Sequence, residues 1–149
     1  MREPYGAPRP SSQIDTQSGS TDPLEVVEIF NELCFQHRLD EAFERCLSPD
    51  LVVHDPAVKG GDRQGLYEMM RGYGLDQPVE TSSEYPLLVV DRQFASGPFV
   101  TVMHHIQFSP EDRGALYVDV IHVTDGKIDE FWTVHLAAPE SSENPHTLW

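Results

Sequence analysis

The sequence predicts an α+β domain, with helices first and an antiparallel sheet after them. Three observations lead there. Apolar residues at helical spacing fall between Asp22 and Gly74, in the first half of the chain. From about Thr81 onward, Val- and Ile-rich runs are separated by turn residues. The last two runs flank Asp125-Gly126, and a DG pair between apolar stretches is the strongest short-range hairpin signal.

Composition narrows the function before any motif does. A chain of 149 residues suits one domain with a real core. Ten Lys and Arg face 25 Asp and Glu, a formal charge of −15. This argues against nucleic acid and anionic membrane surfaces as partners, since both are recognised through basic side chains. No apolar run is long enough to span a bilayer, and no charged-then-apolar leader is visible, so a cytoplasmic location is expected. Cys34 and Cys46 fall in expected helices and read as buried free thiols.

Residues 1–21 are rich in Pro, Ser, Gly and Gln without periodicity, and predict a disordered or loosely packed arm; the domain proper is expected over residues 22–149. Asp22 as N-cap, Pro23 in the first turn and Glu25 three residues after the cap start the first helix. Val26, Val27, Phe30, Leu33 and Cys34 form its apolar stripe. A second helix from about Asp40 turns Ala42, Phe43, Cys46 and Leu47 inward and stops at Ser48-Pro49. The extended piece Leu51 to His54 runs into a glycine loop. Asp62 then caps a third helix carrying Leu66, Tyr67, Met69, Met70 and Tyr73. A strand over about residues 81–93 contains Pro86, which puts it at an edge there. Another strand covers residues 99–108, and the hairpin of residues 115–137 follows.

Register decides what the hairpin's one mid-strand carboxylate, Asp119, faces. A two-residue type I′ turn sets Asp119 opposite Trp132; a three-residue loop with a bulge at Gly126 sets it opposite Phe131. The second register pairs polar with polar and apolar with apolar, and is the one expected. One face then carries Tyr117, Asp119, Thr133 and His135 among Ile121, Phe131 and Ala137. The other carries Leu116, Val118, Val120, Trp132, Val134 and Leu136. Two apolar faces on one sheet call for two covers. The chain's own helices provide one, and a second subunit in a homodimer is expected on the other.

Consecutive His104 and His105 point to opposite faces, and His104 is the one on the more apolar side with Val100, Val102 and Ile106. His54 precedes Asp55-Pro56, a pattern that also reads as a plain turn. No HxH or HExxH spacing, nucleophile elbow or glycine-rich strand-to-helix loop is present, so neither a metal nor a cofactor is expected. A carboxylate and one to three imidazoles around an apolar hollow remain, which is equipment for general acid–base chemistry. Asp119, desolvated, is the expected base, with His54 or His104 holding the substrate oxygen. Tyr117, Thr133, His135, Phe131 and Ile121 are expected to line the site, with Tyr67 and Met70 from the third helix.

With these residues in place, the chain resembles the SnoaL-like polyketide cyclases of the nuclear transport factor 2-like superfamily. The motif VVHDPAVKGG is similar to the family's His-Asn-Pro and glycine loop, and VDVIHVTDGKIDEFW to its VDIFRV-DGKIVEHWD; the tail APESSENPHTLW adds to the likeness. The resemblance implies an α+β cone, a curved antiparallel sheet wrapped around three N-terminal helices and a deep apolar pocket, usually in dimers. It matches Asp119 to a pocket position and His54 to the motif histidine. Asp55 stands for the family's Asn and His122 for its arginine. Phe131 and Thr133 flank Trp132 where the cyclases have His and Asp, and that Asp is their acid–base residue for aldol ring closure.

Two functions fit. The first is a cofactor-independent enzyme performing cyclisation, dehydration or isomerisation on a small apolar carbonyl or polyketide-like substrate. The second is a non-catalytic ligand-binding or dimerisation module of the same fold, with Thr133 in place of the acid.

Overall fold

The computed structural model describes residues 5–81 and 83–149. Three helices, α1 (Pro23–Phe35), α2 (Leu39–Cys46) and α3 (Arg63–Gly72), pack on one face of a five-stranded sheet. The strands are β1 (Leu47–His54), β2 (Leu87–Ser96), β3 (Phe99–Gln107), β4 (Ala115–Thr124) and β5 (Lys127–Ala137), in spatial order β1-β5-β4-β3-β2. Four of them form the antiparallel meander; β1 joins at the edge, parallel to β5. The sheet is therefore mixed, and the extended piece before the glycine loop is its fifth strand.

Helix starts follow the expected caps. Asp22 Oδ2 accepts from the Glu25 N–H at 3.1 Å, and Asp62 Oδ1 from the Gly65 N–H at 2.9 Å, each satisfying a first-turn donor. Inward residues of the helices (Val27, Leu33, Leu39, Ala42, Phe43) meet Leu51, Val53, Val100, Val102, Val123 and Ile128 in one core. Strand β2 begins after Pro86 and lies at the sheet edge, where a missing N–H leaves no gap in the ladder.

The hairpin register is neither of the two weighed. Asp125 (φ 50°) and Gly126 (φ 77°) make a two-residue turn with both central residues left-handed, and Thr124 faces Lys127. An extra residue, Asp129, then bulges from β5 between the pairs Val123–Ile128 and His122–Glu130. Beyond it Asp119 faces Thr133, Tyr117 faces His135 and Ile121 faces Phe131. The difference from the expected register is two residues, so every side chain keeps its expected face. The bulge is pinned by Asp129, which accepts from His122 Nδ1 at 2.6 Å and from the Thr124 hydroxyl at 2.8 Å. Burial works to raise the Asp129 carboxyl, but these hydrogen bonds win and hold it below the usual carboxylate range.

The N-terminal arm, which composition alone leaves loosely packed, makes directed contacts over residues 5–21; residues 1–4 lie outside the described residues. Arg9 forms a two-pronged pair with Glu28, both contacts at 2.8 Å, and Ser11 donates to Glu32 at 2.9 Å. Both glutamates are buried on α1. Arg45 donates to the carbonyls of Thr16 and Ser18, and the Gln93 N–H bonds the Gly6 carbonyl. Charged groups under the arm demand partners, and the arm provides them.

Candidate functional site

Alternation along three strands builds one polar row inside an apolar wall. On β3, Val100, Val102, His104 and Ile106 face the helices and are buried. Register then sets His104 beside Tyr117, and Tyr117 beside His135. The three rings stack in sequence, with centroids 5.3 Å and 5.1 Å apart. The next row holds Val102, Asp119 and Thr133.

Asp119 is fixed by both neighbours. His104 Nε2 donates to its Oδ2 at 2.9 Å, and the Thr133 hydroxyl donates to its Oδ1 at 2.7 Å. His104 Nδ1 is buried and has no hydrogen-bond partner among the described residues. In a neutral ring with its proton on Nε2, Nδ1 carries the lone pair, which is cheaper to leave unpaired than an N–H. Each carboxylate oxygen of Asp119 retains a further lone pair, because it accepts only one of these bonds.

These groups open into a hollow of two adjoining lobes, about 270 and 200 Å³. Both contain Asn31, Met70, Tyr73, Leu75, His104, Asp119 and Ile121. The second lobe adds Asp55, Tyr117, Phe131, Thr133 and His135. Burial raises the phenols of Tyr73 and Tyr117 above their ordinary value, and neighbouring negative charge adds to it. Both therefore remain donors across the neutral range. Cys34, in the wall of the first lobe, is pushed well above the ordinary thiol range by burial, so it offers no nucleophile. Among the described residues no group of three or more His, Cys, Asp or Glu is arranged to hold a metal ion, and no helix is long and apolar enough to cross a membrane.

The structure gathers Asp119, His104, Tyr117, Thr133, His135, Phe131, Ile121 and Met70 around this hollow. Two expected members lie elsewhere. His54 is on the outer face, its ring stacked on Trp132 at 4.9 Å and its Nε2 2.7 Å from Glu130 Oε1. Val53 is the inward residue of β1 at that point, so alternation turns His54 away. Tyr67 bonds Asp40 Oδ1 at 2.6 Å and packs edge-on against Phe43, tying α3 to α2. The face of α3 on the hollow is Leu66, Met69, Met70 and Tyr73, the i, i+3, i+4, i+7 stripe, and Tyr67 lies one residue off it.

Asn31, Asp55 and Tyr73 line the hollow without having been assigned to it from sequence. Tyr73 was legible as the i+7 member of the α3 stripe. Asn31 follows Val27 by four residues and precedes Cys34 by three, so it is a polar residue at an apolar position of α1. Asp55 makes the turn its motif suggests, accepting the Ala57 N–H at 2.9 Å, and also reaches the cavity.

Helices inside a curved, bulged sheet, with an apolar hollow holding a carboxylate–imidazole pair, define an α+β cone with a ligand-sized interior. A SnoaL-like domain model matches residues 26–131, and the chain belongs to that family. Solved structures share the fold at low identity. They include an NTF2-like protein of unknown function from Cytophaga hutchinsonii, 13% identical with TM-score 0.61, covering 80% of this chain and 95% of that one. IdmH, a candidate polyketide cyclase from Streptomyces antibioticus, is 20% identical with TM-score 0.54 over 76% and 91%. A steroid delta-isomerase from Pseudomonas aeruginosa is 19% identical with TM-score 0.57 over 78% and 81%. No curated protein matches the chain.

Proposed function

We propose that this protein is a cofactor-independent enzyme that moves protons on a small, apolar carbonyl or polyketide-like molecule, with Asp119 as the proton-transfer residue. The observation that carries the reading is the Asp119 carboxylate held between His104 and Thr133 on the wall of an apolar hollow. A positioned base beside a bound carbonyl compound takes a proton from the adjacent carbon, and returning it elsewhere completes an isomerisation, dehydration or ring closure. His104 steadies the carboxylate and shares its proton.

The resemblance puts the cyclases' acid at position 133, on β5. Here Asp119 reaches the same neighbourhood from β4, its Oδ1 2.7 Å from Thr133 Oγ1. A carboxylate is thus supplied to the family's acid position from the adjacent strand. The candidate cyclase and the steroid isomerase among the structural neighbours fit this class of chemistry. The working unit is a homodimer joined through the outer sheet face, acting in the cytoplasm.

Asp119→Asn keeps the side chain's shape and removes the base. Turnover of an identified substrate should fall by about 10²–10⁴-fold with binding largely retained. Full activity in that variant would end the assignment. Thr133 in place of the acid favours a second reading, a binding module; tight retention of an apolar ligand without turnover of any carbonyl compound supports it.

A further inference from the structure

Of the two carboxylates in the second lobe, Asp55 is the one without a side-chain donor among the described residues. Its Oδ1 accepts the Ala57 N–H at 2.9 Å, and among the described residues no side chain donates to it. Asp119 differs, with His104 and Thr133 both donating. Among the described residues, neither lobe has a Lys or Arg in its lining. Burial, and then the Asp55 charge among others, holds the Tyr73 and Tyr117 phenols above their ordinary value, so Asp55 acts on both rings. Neither phenol has a hydrogen-bond partner among the described residues. The Asp55 end of the second lobe therefore combines two aromatic rings with one uncommitted acceptor.

Asp55 is partly exposed, and a ligand seated against it displaces water that only a donor on the ligand replaces. We propose that Asp55 recognises a hydrogen-bond donor on the ligand, a hydroxyl or a protonated amine, and bars ligands carrying an anion at that end. This rests on the hollow being the ligand site, but not on any catalysis there. A hydroxyl bonds the free oxygen directly. An ammonium adds charge pairing to that hydrogen bond. A carboxylate or phosphate in the same place meets like charge with no basic residue to relieve it.

The test is equilibrium binding to the full chain at neutral pH, with three probes of one ring skeleton: 2-naphthol, 2-naphthylmethylamine and 2-naphthoate. The better of the two donors should bind at least about tenfold more tightly than 2-naphthoate. Preference for the amine over the naphthol assigns the ammonium, and the reverse assigns the hydroxyl. In Asp55→Asn, which keeps an acceptor for the Ala57 N–H, the discrimination should shrink to about threefold or less. Asp55→Ser also keeps an acceptor and serves if the first variant does not fold. Wild-type binding of 2-naphthoate as tight as that of either donor overturns the proposal. So does discrimination that survives loss of the Asp55 charge, or absence of binding by all three probes. Intact discrimination in a protein that turns over no carbonyl compound would overturn the enzymatic reading and leave this one standing.

Discussion

Thr133 donates its hydroxyl to Asp119 across the β4–β5 pair at 2.7 Å, and the imidazole of His104 holds the other carboxylate oxygen from β3, on the opposite side of β4. A hydroxyl at this position does not replace a carboxylic acid, but it orients one. Thr133→Val preserves the β-branched shape and removes the donor. If Asp119 transfers the proton, kcat should drop by roughly tenfold, the equivalent of one hydrogen bond, while KM changes little. An unchanged kcat would reduce Thr133 to a wall residue.

The outer sheet face predicts an assembly. Val134 and Leu136 are 65% and 59% exposed, beside half-exposed Val120 and Trp132, an apolar stripe with no helix over it among the described residues. Val134→Lys with Leu136→Lys should convert a dimer to a monomer in sedimentation at tens of micromolar (roughly the range where modest interfaces fail). A wild-type monomer under those conditions would remove the dimer.

Gly65 sets helix propensity against sterics. In an ordinary helix Ala is better than Gly by about 1 kcal/mol. Here a Cβ would lie 1.8 Å from the Lys59 carbonyl oxygen, which backbone must move to relieve. Overpacking of this kind costs about 1–3 kcal/mol, so Gly65→Ala should lower the urea midpoint. A raised midpoint would mean that the glycine loop yields freely.

The arm's main attachment is testable through the group beneath it. Glu28 is 3% exposed and receives both prongs of Arg9. Arg9→Ala leaves that carboxylate without its cation and should cost about 1–2 kcal/mol, modest because Arg9 itself is partly solvated. Adding Glu28→Gln should recover part of the loss, since a neutral amide is cheaper to bury. No change in either variant would mean that the arm lifts away at no cost.

Much of this fold is visible in residue spacing. Asp22 and Asp62 announce helix starts through bonds that span three residues, and Asp125-Gly126 announces a turn through its own backbone angles. The inner and outer sets of the hairpin follow from alternation with period two. They hold despite the misjudged register because bulge and turn together displaced it by two residues. Membership of Asp119, Thr133, Tyr117 and His135 in one face is therefore a local property of two strands.

The remaining site residues arrive from elements that only packing brings together. Asn31 comes from α1, Asp55 from the loop after β1, and Tyr73 from the end of α3, each far from Asp119 in sequence. Whether His54 faces in or out turns on the phase with which β1 docks beside β5, and the docking of Val53 against the core sets that phase. The partnering of Arg9 with Glu28 likewise depends on where the arm crosses α1. Caps, turns and alternation are interactions between near neighbours, so composition and spacing encode them directly. Docking phase, bulge position and cavity lining minimise the energy of the whole core at once, and no short stretch of sequence carries that information alone.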